Sequence, residues 1–283
     1  MILIADGGST KADWIALNKH KKEVFRTTSL GLNPSVLTKE EILRTINNTE
    51  DLLSIQNEVQ QIHFYGAGCG SPKAAENLQQ VLKSIFEKAT VFVSEDTLAA
   101  VYASSGNNPG IVCILGTGSN SCYFDGKKMT TTAPSLGYTL MDEASGNYFG
   151  KQLLRDYYYK KMPKKIATAF ESSFELDTDI VKMNLYRKPN ANMYLASFAR
   201  FMFEHKEEKY IRKMIKKGLQ DFFYYRVLPF KKDIKTPIYF IGSVAYYFRD
   251  ILEKVAAKNN LVITDVIQRP IDNLVEFHRN NNF

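Results

Sequence analysis

Histidine, cysteine and tryptophan are scarce in this chain. The four histidines, His20, His63, His205 and His278, are scattered and never three to five residues apart, which argues against a histidine metal site or a histidine-based triad. The three cysteines, Cys69, Cys113 and Cys122, are odd in number, and the 43 and 8 residues between them fit no zinc pattern, so free thiols are expected. No apolar run approaches the roughly 18 residues of a membrane helix, and Asp6 comes too early for a signal peptide. A cytoplasmic protein without a membrane partner is expected. Its chemistry should rest on carboxylates and backbone amides.

What is present is ordinary for a folded protein. With 283 residues, 45% hydrophobic and 24% charged, the chain can form one large domain or two of about 100 to 200 residues. Disorder, collagen and coiled coil are excluded. The net charge of +7 comes from residues 151–235, where 20 Lys or Arg face 10 Asp or Glu. There the bases alternate with acids and aromatics at helical spacing, as in KYIRKMIKKGLQDFFYYRV, so they read as solvated helix faces and no nucleic-acid partner is expected.

The first hundred residues alternate strand and helix. Branched or aromatic runs at Ile2 to Ala5, Trp14 to Leu17, Ile62 to Tyr65 and Val91 to Val93 predict buried strands. Between them lie TKEEILRTI, with a Thr38–Glu41 capping box, and KAAENLQQVLKSIFEKA after Pro72. SSGNNPG marks a boundary, giving a first domain over 1–108 and a second over 109–269. The second starts with strand GIVCIL, continues through SNSCYFDG and KKMTTTA, turns helical from Gly146 to about Leu228, and ends in strand PIYFIG, helix AYYFRDILEKVAAK and strand LVIT. A closing helix is read near 270–283. The aromatic stripes at 153–159 and 222–225 are assigned to the core, with a homodimer surface as the alternative. MILIADGGST and GIVCILGTGS repeat one design, a strand ending in a glycine turn, which points to a duplicated α/β domain with a cleft between the halves.

Several short segments could carry chemistry. DGGST reads as a tight hairpin whose amides converge on an anion, with Asp6 suited to a Mg²⁺-bound water and Ser9 and Thr10 to phosphate; an ordinary hairpin would use the same residues for geometry alone. GTGSN repeats the logic at Gly116 to Asn120 without the spacing of a P-loop or dinucleotide fold. GAGCGSP is read first as close packing and second as an anion-receiving helix start. In SEDTLAAVYA a carboxylate at a strand end could act as a general base, or Ser94 or Asp96 could simply cap the helix. Asp142 in LGYTLMDEASG has the same capping alternative. Gly242 in IGSVA offers bare backbone to a flat group such as adenine, or merely turns strand into helix.

Taken in order, DGGSTKADW, LGLNPS, YGAGCG, SEDTLAAVYA, ILGTGSNS, LGYTLMDEASG and IGSVA resemble the motif series of the BadF/BadG-type ATPases. The resemblance is strongest to the N-acetylglucosamine kinase branch of the actin-like superfold, and it spans nearly the whole chain. It implies two actin-like, ribonuclease H-like α/β domains with an ATP cleft between them, a helical insertion in the second, and the closing helix near 270–283 joining the first. By this resemblance Asp6 orients Mg²⁺, Gly8, Ser9, Thr10, Thr117 and Gly118 contact the ATP phosphates, and Gly242 and Ser243 line the adenosine pocket. Asn33, Gly137 and Asp142 bind the sugar, and Asp96 accepts the proton of its hydroxyl. The chain departs from the family where Met141 and Ala144 stand in place of glycines, and where SLG, Ser135 to Gly137, lacks a nearby Trp.

The expectation is an ATP-dependent kinase acting on N-acetylglucosamine or a related amino sugar, using ATP and Mg²⁺. Phosphoryl transfer needs positioning and charge neutralisation more than covalent chemistry, which suits glycine loops, a metal-orienting Asp and one base. One alternative is an ATPase activating a dehydratase through a shared iron-sulfur cluster, for which only Cys69 lies in a loop. The other is a silent nucleotide- or sugar-binding sensor.

Overall fold

The computed structural model describes residues 1–230 and 235–281. Residues 231–234, within the expected second domain, and 282–283, with which the expected closing helix ends, lie outside the described residues. The chain forms two compact units, residues 1–107 with 270 onward, and 108–269.

In the first unit, strands β1 (Ile2–Gly7), β2 (Lys11–Leu17) and β3 (Glu23–Leu30) form an antiparallel meander. Helices α1 (Lys39–Asn47) and α2 (Glu50–Ser54) lead to β4 (Gln61–Gly66), α3 (Pro72–Ile85), β5 (Thr90–Glu95) and α4 (Asp96–Ser104). The sheet order is β3-β2-β1-β4-β5, with β4 and β5 parallel to β1. Side chains alternate across a strand, and both faces of this sheet are covered. Leu3, Ala5, Trp14, Ile62 and Phe64 pack with Ile42, Leu78 and Leu82. Ile4, Ile15, Leu17 and Tyr65 pack with Ala99 and Ala103 and with residues from the end of the chain. Thr38 and Glu41 form the capping box that starts α1.

In the second unit, β6 (Gly110–Leu115), β7 (Ser119–Phe124) and β8 (Met129–Thr130) form another meander. The helices α5 (Gly146–Tyr158), α6 (Lys164–Ser173), α7 (Thr178–Tyr186), α8 (Ala191–Ser197), α9 (Ala199–Glu204) and α10 (Lys209–Phe222) follow, and α10 runs into a π-helical turn at Phe223–Val227. Next come β9 (Ile238–Ile241), α11 (Ser243–Tyr247), α12 (Arg249–Lys258) and β10 (Asp265–Ile267). The sheet order, β10-β9-β6-β7-β8, is that of the first unit counted along the chain. Strands β1 and β6, which carry the repeated glycine turns, therefore occupy equivalent places. Helix α13 (Ile271–Asn280) returns to the first unit, where Ile271, Leu274 and Val275 pack with Ile4 and Tyr65. The architecture is a mixed α/β fold of two units that share one sheet order.

Some elements differ from the sequence reading. EVFRTTSL carries no apolar run yet forms β3, because an edge strand needs backbone partners more than a buried face. LVIT is not a strand: Val262 is 76% exposed, and pairing with β9 starts at Asp265. The helix expected over AYYFRDILEKVAAK is divided at Phe248, whose φ of −113° and ψ of 26° leave the helical range. The aromatic stripes are split by residue type. Phe222 and Phe223 are buried, whereas Tyr159 and Tyr224 are 69% and 67% exposed.

Candidate functional site

In the first unit the carboxyl ends of three parallel strands bring the motifs to one edge. Asp6 and Gly7 stand level with Tyr65 and Gly66 of β4, and Gly66 pairs with Glu95 of β5. Open α/β sheets bind ligands at such an edge. Gly8, Ser9 and Thr10 form the β1–β2 turn, and Asn33 joins them from the loop before α1. Its Nδ2 donates to Ser9 Oγ at 3.3 Å, and its Oδ1 accepts the Ser35 N–H at 2.9 Å. Gly68 has φ +78°, and a Cβ there would collide with Asn33 Oδ1. Only glycine leaves Asn33 this position, so the GAGCG loop packs closely against a proposed ligand-binding residue. Ser71 caps α3 by accepting the Ala74 N–H at 3.2 Å.

Asp6 and Asp96, distant in sequence, are electrostatic neighbours here. The half-buried Asp6 carboxyl is pushed up to about 7, first by burial, then by the charges of Asp96 and Asp13, while Lys11 opposes the shift. Lys11 itself pairs with Asp13 at 2.7 Å. The buried Cys69 thiol is pushed up to about 12 by burial and then by Asp96 and Glu95, so it stays protonated. The capping reading of SEDTLAAVYA needs correction. Strand pairing continues through Glu95, which becomes the N-cap and makes no side-chain cap bond, and Asp96 is the first helical residue.

The donor set at Asp6 suits a magnesium ion. Among the described residues no three His, Cys, Asp or Glu gather as a metal cage, but Mg²⁺ usually keeps waters and takes one or two carboxylates together with substrate phosphates. A carboxylate crowded by two others gains from a nearby cation.

In the second unit the turn Gly116–Thr117–Gly118 joins β6 to β7 and docks on the start of α5. The Gly146 N–H donates to Gly116 O at 2.8 Å and the Asn147 N–H to Thr117 O at 3.0 Å. A Cβ on Gly118 would lie 2.9 Å from Asp142 Oδ2, so Asp142 abuts the glycine turn. Asp142 is buried and accepts the Ser119 N–H and, at 3.4 Å, Asn147 Nδ2. Burial raises its carboxyl; those hydrogen bonds and Arg226 pull it down, and Glu143 pushes it up. Asp142 does not cap α5, contrary to the capping alternative. The chain passes through the left-handed region at Asp142 (φ +70°) and Ala144 (φ +58°), and Ser145 arrives as the cap, accepting the Tyr148 N–H at 3.1 Å. Ala144 thus follows a path that favours glycine, whereas Met141 has no positive φ.

Gly137 (φ +76°) lies in the loop before Asp142, and its carbonyl accepts the Met141 N–H at 2.9 Å. Gly242 has φ +114°, and a Cβ there would strike the Leu115 carbonyl, next to the GTG turn. The exposed Ser243 opens α11. The sequence reading missed Arg226, whose buried side chain has its Nε 3.7 Å from Glu143 Oε2. An arginine inside the aromatic run FFYYRV was its only signal. Among the described residues no helix is long and apolar enough to cross a membrane.

Comparison with solved structures finds a candidate N-acetylglucosamine kinase from Porphyromonas gingivalis, 34% identical over 99% of each chain with a TM-score of 0.91. A candidate N-acetylglucosamine kinase from Chromobacterium violaceum shares the fold at 16% identity over 98% of each chain, TM-score 0.69. A ROK family glucokinase from Streptomyces griseus, solved with glucose and AMPPNP, shares it at 14% identity over 97% of each chain, TM-score 0.58. No family model and no curated protein matches the sequence.

Proposed function

Since the chain belongs to the N-acetylglucosamine kinase-like family of the actin-like superfold, we propose that it is an ATP-dependent sugar kinase acting on N-acetylglucosamine or a related amino sugar. The observation that carries this reading is the gathering of Asp6, Asn33 and Asp96 around the strand ends of the first unit. In this reading Asp96 accepts the proton of the sugar hydroxyl as its oxygen bonds to the γ-phosphorus. The bond to the bridging oxygen of the β-phosphate breaks, and ADP leaves. Asn33, Gly137 and Asp142 hold the sugar. Amides and hydroxyls of Gly8, Ser9, Thr10, Thr117 and Gly118 hold the phosphates, and Gly242 and Ser243 line the adenosine site. Asp6 would hold Mg²⁺ through water, and the ion supplies charge neutralisation on the phosphates.

A dehydratase activator with a shared iron-sulfur cluster has less support, since Cys113 and Cys122 are buried in paired strands. A coupled ADP-release screen over amino sugars and hexoses tests the kinase reading. Sugar-dependent ADP release is expected, greatest with N-acetylglucosamine or another amino sugar, and its absence with every sugar would overturn it.

A further inference from the structure

The side chain of Arg226 is almost wholly removed from water, on a π-helical turn. Its guanidinium addresses one loop at several points. Nη1 donates to the Ala133 carbonyl at 3.4 Å, Nη2 donates to Met141 Sδ at 3.2 Å, and Nε lies 3.7 Å from Glu143 Oε2. Its own carbonyl accepts the Ser121 hydroxyl at 2.7 Å, which ties the turn to β7. A buried guanidinium needs compensation, and here that compensation is spread along residues 133–143. Glu143 Oε2 is buried without a hydrogen-bond partner among the described residues. From α5, Lys151 donates to the Tyr138 carbonyl and interacts with Asp142 and Glu143. Two cations thus hold a loop bearing two acids.

We propose that Arg226 is a positioning residue for sugar recognition: it anchors the 133–143 loop on its glycine-like path, so that Asp142 is presented as an acceptor for a sugar hydroxyl. This rests on the kinase reading. The path needs an anchor, because Asp142 and Ala144 occupy a backbone region that side chains disfavour. The groups acting on Asp142 are the Ser119 N–H, the Asn147 amide, Arg226, Glu143 and Lys151. Removing the guanidinium moves its carboxyl further up, so the ionised form is lost at higher pH. Removing the Glu143 charge moves it down.

The test measures kcat and KM for sugar and for ATP across pH 5 to 9 in Arg226→Lys, Arg226→Gln and Glu143→Gln. The Arg226 variants should raise the sugar KM about tenfold or more, leave the ATP KM within about twofold, and shift the acid limb of kcat/KM for sugar to higher pH. Glu143→Gln should shift that limb lower. Equal rises in both KM values with an unmoved limb, or no change at all, would overturn the proposal. If the Arg226 variants do not fold, the Glu143→Gln limb decides, and an unmoved limb there overturns it. If the parent releases no ADP with any sugar, the kinase reading fails. Hydrogen exchange across 131–145 and the Asp142 carboxyl titration in Arg226→Lys then decide the anchor. Faster exchange and a raised titration support it, and unchanged values overturn it.

Discussion

The Asp6 carboxyl carries opposing demands. Pushed up to about 7 by burial and then by Asp96 and Asp13, it binds its proton more tightly folded than unfolded. Stability from this group is therefore full below the ordinary carboxylate range and is lost as pH rises toward 7. Asp6→Asn should accordingly melt higher than the parent at pH 8 in chelator, with the difference gone near pH 4, while turnover is abolished and sugar still binds. Thermal scans at both pH values check the first part and calorimetry with sugar alone the last; a lower melting point at pH 8 would contradict the assignment. Asp96 is the first helical residue and Glu95 the N-cap, so the proposed base can be tested apart from capping. Asp96→Asn should slow turnover about 10² to 10⁴-fold with little change in melting, and a variant that melts lower but phosphorylates normally would refute its role as base.

At the scale of elements, the start of α5 joins stability to the site. Ser145 caps the helix, and the next two residues donate their N–H groups to Gly116 and Thr117. Ser145→Ala should cost about 1 kcal/mol, read as a lower urea midpoint, and should weaken ATP binding because the GTG turn rests on that helix end. An unchanged nucleotide affinity would separate the cap from the site. The sequence showed a helix beginning near Gly146 but did not show which residue would cap it. Two acids and a serine compete there, and the left-handed turns at Asp142 and Ala144 decide in favour of serine.

For the molecule as a whole, α13 places His278 against His63, with ring centroids 4.7 Å apart, and Tyr65 Oη lies 3.0 Å from His278 Nε2. Burial pulls His63 down to about 4 and His278 to about 3, the latter also through His63. Both are neutral when folded, and the unfolded chain binds their protons first, near pH 6.5. Stability from this pair is present above that pH and is lost as pH falls toward 4 and then 3, opposite in sign to the Asp6 contribution. His63→Phe should therefore lower the acid-unfolding midpoint of the first unit. The single tryptophan, Trp14, lies in that unit's core, so its fluorescence reads the unit selectively. An unmoved midpoint would show that the pair does not control acid unfolding.

Features set by local chemistry are legible in the order of residues alone. Branched apolar runs marked β1, β4, β5, β6 and β9; Thr38 and Glu41 marked the start of α1; and the paired glycine turns marked equivalent places in two sheets. Features that depend on a distant partner emerge when the chain has folded. Residues Glu23–Leu30 became a strand because β2 supplies its hydrogen bonds, and Asp265, not LVIT, pairs because β9 sets the register. Phenylalanines and tyrosines of one stripe went to opposite sides, since a phenol tolerates water where a bare ring gains by leaving it. Asp6 beside Asp96, His63 beside His278 and Arg226 beside Glu143 are meetings across long stretches of chain. No spacing rule reveals them, because charge and burial act through space once the sheets have formed.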